Sequence, residues 1–143
     1  MRRFRQSCSN NSDTIPDVEL LLDTHVFIWW NVDPARLSEG TRSAIGDAEN
    51  RVVVSAASVW EISIKRMIGK LAFNHDTLDA IAKAGFEALS ITPGHADAAG
   101  SLPLHHTDPF DRLLVAQARI ERLVLVTQDR RLVPYGVPLL GAV

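Results

Sequence analysis

The sequence predicts an α/β sandwich with a parallel sheet, and three observations carry that expectation. Short β-type runs alternate with longer stretches of helical periodicity from residue 18 onward. The β-type runs are apolar throughout instead of alternating with polar residues, as strands covered on both faces are. No internal repeat or low-complexity segment breaks the alternation. Each helical stretch then serves as a right-handed crossover between parallel strands.

The elements follow in order. "VELLLD" (18–23) reads as the first strand. "DPARLSEGTRSAIGDAE" (33–49) reads as one helix, opened by Asp33 with Pro34 at its first position. "RVVVSA" (51–56) is a β-branched second strand. Ser55 or Ser58 can cap the helix that runs to about Ile68, where Gly69 stops it. "DTLDAIAKAG" (76–85) is a helix between a capping Asp76 and a terminating Gly85, and "FEALSIT" (86–92) returns as a strand. Pro93 begins a short helix through Ala99. In "TDPFDRLLVAQARIER" (107–122), Thr107 or Asp108 can cap, Pro109 falls in the first turn, and Phe110, Leu113, Leu114 and Ala118 form one apolar face. "LVLVT" (123–127) and "VPLL" (137–140) bring the strand candidates to five.

Bulk properties bound the function. A chain of 143 residues suits one domain, expected over 18–143. With 46% hydrophobic and 22% charged residues it is neither disordered nor fibrous. A net charge of −2 gives no overall positive field, so a polyanion must be held by a local patch or through cations. The single Cys8 excludes an internal disulfide and a thiolate zinc site, and suits a reducing compartment. No apolar run approaches the ~20 residues of a spanning helix. Residues 1–17 begin with Arg2, Arg3 and Arg5 but then turn polar, so they read as a flexible extension and not a signal peptide. A soluble cytoplasmic protein is expected.

Asp23 raises the chemical question, because it stands between Leu20–Leu22 and Val26–Trp30. A desolvated carboxylate costs several kcal/mol unless it is paired, hydrogen-bonded or bound to a metal. Ligands of parallel sheets bind beyond the carboxyl ends of the strands, where Asp23 falls. Glu61 lies early in the helix after the second strand, and Asp129 lies two residues past the fourth. Asp108 and Asp111 share one face of the first turn of the long helix. Singly, each has an ordinary structural reading: a cap for Asp23 or Asp108, an i,i+4 pair with Lys65 for Glu61, a turn for Asp129. Gathered together they repel one another, and a divalent cation such as Mg²⁺ relieves both repulsion and desolvation. Such a site can activate water against a phosphodiester.

These residues also carry a resemblance. "LLLDTHVFIWW", "VSAASVWEISIKRMIGKL", "LPLHHTDPFDRLLVAQA" and "LVTQDRRL", in that order, are similar to the PIN-domain ribonucleases, and most of all to their VapC-type toxins of toxin–antitoxin pairs. The resemblance covers residues 19–140. It implies a three-layer α/β/α sandwich with a five-stranded parallel sheet. It implies Mg²⁺- or Mn²⁺-dependent RNA cleavage by Asp23, Glu61, Asp111 and Asp129, with Asp108 a possible further ligand. The partners it implies are an RNA substrate, a cognate antitoxin and a second copy of the chain.

Arg112, Lys65 and Thr127 are the expected substrate-side residues, with Thr127 also placed to bond a carboxylate. Lys65, Arg66, Arg112, Arg130 and Arg131 flank the acids and can form a positive rim for RNA. His105 and His106 are adjacent on a loop and lack helical zinc spacing, so capping or lining the approach to Asp108 is their expected role. His25 and His95 are read in the same way. Trp29, Trp30 and Trp60 read as core or interface residues, with base stacking open to any that is exposed. Met67, Ile68, Leu71 and Phe73 offer apolar positions for a dimer or antitoxin groove. The alternatives are a non-catalytic PIN-like binding module and an aspartyl-phosphate phosphatase. The latter wants a second Asp where His25 stands.

Overall fold

The computed structural model describes residues 18–142; the extension expected over 1–17 lies outside them. Five strands, β1 (Glu19–Leu22), β2 (Arg51–Ser55), β3 (Glu87–Leu89), β4 (Val124–Thr127) and β5 (Leu139–Gly141), form one sheet in the order β3-β2-β1-β4-β5. Every pairing is parallel. The apolar strand runs are explained by the pleat. Leu20, Leu22, Val52 and Val54 enter one core, while Leu21, Val53 and Leu125 enter the other. Helices α1 (Thr24–Val32), α2 (Glu39–Gly46) and α4 (Thr77–Lys83) supply Phe27, Ile45 and Ile81 to the first core. Helix α6 (Pro109–Glu121) supplies Leu114, Val115 and Ala118 to the second, with Ala98 and Ala99 of α5 (Pro93–Ser101) packed against it. Helix α3 (Ala56–Met67) serves both, through Ile62 and Ala57. The result is the expected three-layer α/β/α sandwich.

Most helix ends stand where the sequence places them. Ser55, Asp76 and Asp108 accept backbone N–H groups as the N-caps of α3, α4 and α6. Gly69 and Gly85 have φ of 74° and 75°, the left-handed conformation in which glycine ends a helix without strain.

Two stretches differ. The single helix expected over 33–49 is broken. Only Pro34–Arg36 forms a 3₁₀ turn, Leu37 is extended, and Ser38 caps α2 by accepting the Thr41 N–H. The reason is tertiary: Leu37 is buried in the first core, and the Ser38 N–H donates to Ala142 O beside β5. Asp33 caps no helix with its side chain and ends α1 instead. Helix α1 itself has no sequence periodicity to reveal it, because Thr24 and Val26–Trp29 are all buried.

β1 is central, and the strand order turns back between β1 and β4. A crevice beyond the carboxyl ends of these two strands is where such sheets place their ligands. At the opposite end of the sheet Arg51 bridges Glu19 at 2.8 Å and Glu87 at 2.6 Å, tying the first residues of three strands. No helix among the described residues is long and apolar enough to cross a membrane.

Candidate metal centre

Asp23 follows β1 directly. Its N–H continues the ladder to Val126 O (3.0 Å), and its side chain caps α1. Oδ1 accepts the Val26 N–H at 2.9 Å, and Oδ2 accepts the Thr127 hydroxyl at 2.6 Å. The carboxylate is only 5% exposed. Burial raises its pKa, against the pull of the Thr127 and Val26 hydrogen bonds.

Glu61 reaches the same place from the second turn of α3 and is 4% exposed. Thr24 donates its hydroxyl to Oε1 at 2.6 Å, and Lys65 donates to Oε2 at 2.6 Å. The Lys65 pair expected from i,i+4 spacing therefore exists, but it stands beside a buried acid and not on a solvated helix face. The Glu61 hydrogen bond is the main cause that raises the Lys65 pKa.

α6 delivers two acids. Asp108 caps the helix with one oxygen, accepting N–H groups of Phe110 (2.8 Å) and Asp111 (3.4 Å). Asp111, one turn in, is the electrostatic centre of the group. Burial first, then the carboxylates of Asp108, Asp23 and Glu61, push its pKa up to about 7, with His106 acting in the opposite sense. Residues from three elements thus act on one side chain.

Asp129 caps the 3₁₀ turn Arg130–Tyr135, which sequence periodicity does not predict. Its oxygens accept the Arg131 N–H (3.0 Å), Arg131 Nε (3.0 Å) and Arg131 Nη2 (2.8 Å). The Arg131 guanidinium is the main reason its pKa falls to about 2. Thr127 joins the two halves of the site: its hydroxyl donates to Asp23 and accepts the Asp129 N–H at 3.0 Å.

Asp23, Glu61, Asp108, Asp111 and Asp129 line one cleft of about 350 Å³, together with Lys65, Arg130, Arg131 and His25. Five carboxylates face three permanent cations there. The donors are hard oxygens and include no thiolate, the set that suits a divalent cation of the Mg²⁺ type.

The sequence-predicted substrate residues are placed differently. Lys65 lines the cleft. Thr127 is buried, with its proton directed at Asp23, which is the carboxylate bond the sequence also allowed for it. Arg112 lies outside the cleft lining. Its guanidinium donates to the carbonyls of Ala99 (3.0 Å), Leu102 (2.9 Å), Pro103 (2.9 Å) and His106 (3.2 Å), which fixes the α5–α6 loop. Arg66 likewise turns to the carbonyls of Phe73 and His75. The positive rim at the cleft therefore comprises Lys65, Arg130 and Arg131.

His25 lies on the cleft wall, and His95 is buried and structural, accepting the Thr92 N–H and contacting Glu121 at 2.9 Å. His105 packs edge-on against Tyr135. His106, expected only to cap or line an approach, instead sits between two of the acids, 3.0 Å from Asp111 and 3.1 Å from Asp129. Trp29 is core and Trp30 packs against it, whereas Trp60 is 60% exposed and meets Phe110 edge-on. Phe73 is buried and Leu71 packs on the core, leaving Met67 and Ile68 exposed.

Comparisons with known proteins point one way. The family model described as "PIN domain" matches residues 20–136. Ribonuclease VapC22 of Mycobacterium tuberculosis is 36% identical over 121 residues, covering 79% of this chain and 88% of the relative. Among solved structures, VapBC2 from Rickettsia felis, bound to a DNA fragment from its promoter, aligns with a TM-score of 0.66 at 15% identity. That alignment covers 88% of this chain and 100% of the other. FitAcB from Neisseria gonorrhoeae aligns with a TM-score of 0.59 at 20% identity, over 85% of this chain and 96% of the other.

Proposed function

The chain belongs to the PIN-domain family, and on that premise we propose that it is an endoribonuclease dependent on Mg²⁺ or Mn²⁺, acting as the toxin of a toxin–antitoxin pair. The observation that carries the reading is the position of Asp111, whose half-buried carboxyl lies in the field of Asp108, Asp23 and Glu61 at once. Like-charged, desolvated acids drawn from separate elements are stable together when a cation joins them. Asp23, Glu61 and Asp111 would hold the ion, with Asp129 and Asp108 at its edge. When bound, it would neutralise the acids and stabilise negative charge developing on a phosphodiester.

The chain's own residues do the rest. Thr127 and the Val26 N–H fix both oxygens of Asp23, and Thr24 and Lys65 fix both oxygens of Glu61. Rigid ligands of this kind leave little reorganisation for the ion to drive. Lys65, Arg130 and Arg131 stand on the same cleft, where backbone phosphates of RNA would meet positive charge beside an acidic centre. RNA as the substrate draws support from the ribonuclease name of the M. tuberculosis relative. An antitoxin partner draws support from the likeness to a toxin–antitoxin complex from Klebsiella pneumoniae, which aligns with a TM-score of 0.60 at 16% identity over 85% of this chain and 95% of the other. A homodimer and a cytoplasmic location belong to the same reading.

The test is cleavage of a structured RNA by the full chain with Mg²⁺ or Mn²⁺. Activity should vanish in excess chelator and in Asp23→Asn protein whose circular dichroism matches wild type. Undiminished cleavage by folded Asp23→Asn protein refutes the role of the acids, and undiminished cleavage in chelator refutes the ion.

A further inference from the structure

Among the described residues, His106 is a buried side chain that touches the carboxylates of two of the acids and has no part in the proposed reaction. Distance alone groups it with Asp111 and Asp129 as a possible metal ligand, since its Nε2 lies 3.0 and 3.1 Å from their Oδ2 atoms. The opposite side of the ring excludes that role. Nδ1 accepts the Asp108 backbone N–H at 3.1 Å, and an amide can only donate, so Nδ1 carries a lone pair and the ring proton sits on Nε2. A protonated Nε2 cannot ligate a cation; it can donate to carboxylates. Consistent with this, His106 is buried and does not line the cleft.

The backbone of His106 is also held. Its N–H donates to the Tyr135 hydroxyl at 3.0 Å, its carbonyl accepts from Arg112 at 3.2 Å, and Tyr135 in turn donates to Pro103 O at 2.8 Å. The loop that carries His106 is thereby tied to α6 and to the 3₁₀ turn after Asp129. We propose that His106 is a positioning residue: its Nε2–H, hydrogen-bonded to Asp129 and 3.0 Å from Asp111 Oδ2, holds together two carboxylates of the cleft that would otherwise repel. Asp111 comes from the start of α6 and Asp129 from the end of β4, and the His106 Nε2 lies within 3.1 Å of both. The arrangement resembles the outer-shell hydrogen bonds that orient metal ligands elsewhere, with donor and acceptor exchanged: here the histidine holds the carboxylates.

The inference rests on the divalent-metal reading of the cleft, and its test needs no RNA. Mn²⁺ binding to the full-length chain is measured by titration calorimetry for wild type, His106→Asn and His106→Gln. Asn keeps an acceptor near the Nδ1 position but has nothing at Nε2, whereas Gln places an amide N–H donor there. We expect His106→Asn to weaken Mn²⁺ binding by about 10–100-fold, the usual effect of losing an outer-shell partner, and His106→Gln to recover most of it. Two measurements on wild type remain informative if either variant fails to fold. Long-range ¹H–¹⁵N spectra of the metal-free protein should show His106 protonated at Nε2, and pulsed EPR of the Mn²⁺ form should show no directly coordinated nitrogen. Unchanged affinity in His106→Asn, equal losses in both variants, or an Nδ1–H tautomer or coordinated ring nitrogen would each overturn the inference alone. A wild-type chain that binds no Mn²⁺ would remove the metal-site reading and this inference with it.

Discussion

Asp111→Asn removes one negative charge from the point where the fields of three other acids meet, and the structure sets how much that charge disturbs the metal-free protein. An unfolded chain releases the Asp111 proton near 3.8, whereas the folded protein holds it up to about 7. Between those values the folded state binds more protons, so its stability falls as pH rises, by about 1.4 kcal/mol per pH unit. The loss is complete above about pH 7 and amounts to on the order of 4 kcal/mol. The side chain is 21% exposed, and solvent screening brings the expectation to about 2–4 kcal/mol. Urea unfolding in chelator at intervals from pH 4 to pH 8 reads this directly. Asp111→Asn should match wild type near pH 4 and exceed it progressively toward pH 8. Divalent cation should reverse the ranking at pH 8: wild type gains about 2.7 kcal/mol when the ion stands at 100 times its Kd, and the variant gains less. If the two proteins keep a constant stability difference across this range in chelator, the electrostatic account of the cleft is wrong.

Further outcomes follow from the placement of single side chains. Thr127→Val keeps the shape but removes the donor to Asp23 and the acceptor for the Asp129 N–H; it should lower stability by about 1–3 kcal/mol in urea and weaken Mn²⁺ binding about 10-fold by calorimetry. Arg112→Ala removes one donor from each of four carbonyls at the end of α5 and in the loop after it and should cost about 1–3 kcal/mol in urea unfolding, with RNA affinity of the folded fraction unchanged. Weakened RNA binding at full stability would restore the substrate contact expected for Arg112 from sequence. Arg130→Ala should reduce the slope of log K against log salt for single-stranded RNA by about 0.7, the share of one phosphate contact; an unaltered slope would take Arg130 out of the rim.

What the sequence determined by itself is local chemistry. The apolar strand runs, the caps Ser55, Asp76 and Asp108 and the stops at Gly69 and Gly85 all act over a few residues of chain, so their signals are written in adjacent positions. The acids were legible for a related reason: a carboxylate at the end of a leucine run needs a partner, wherever the rest of the chain goes. The tertiary structure decided what those signals could not carry. α1 was hidden because burial on nearly every side erases helical periodicity, and 33–49 breaks because Leu37 enters a core assembled from other elements. The roles of Thr127, Arg112 and His106 belong to partners reached through the fold; Thr127 and Asp23 bond across 104 residues of sequence. A hydroxyl, a guanidinium or an imidazole can serve many partners equally well, so its identity fixes what it can donate or accept. Only the packing of β4 against β1, and of the α5–α6 loop against the turn after Asp129, selects which neighbour receives the bond.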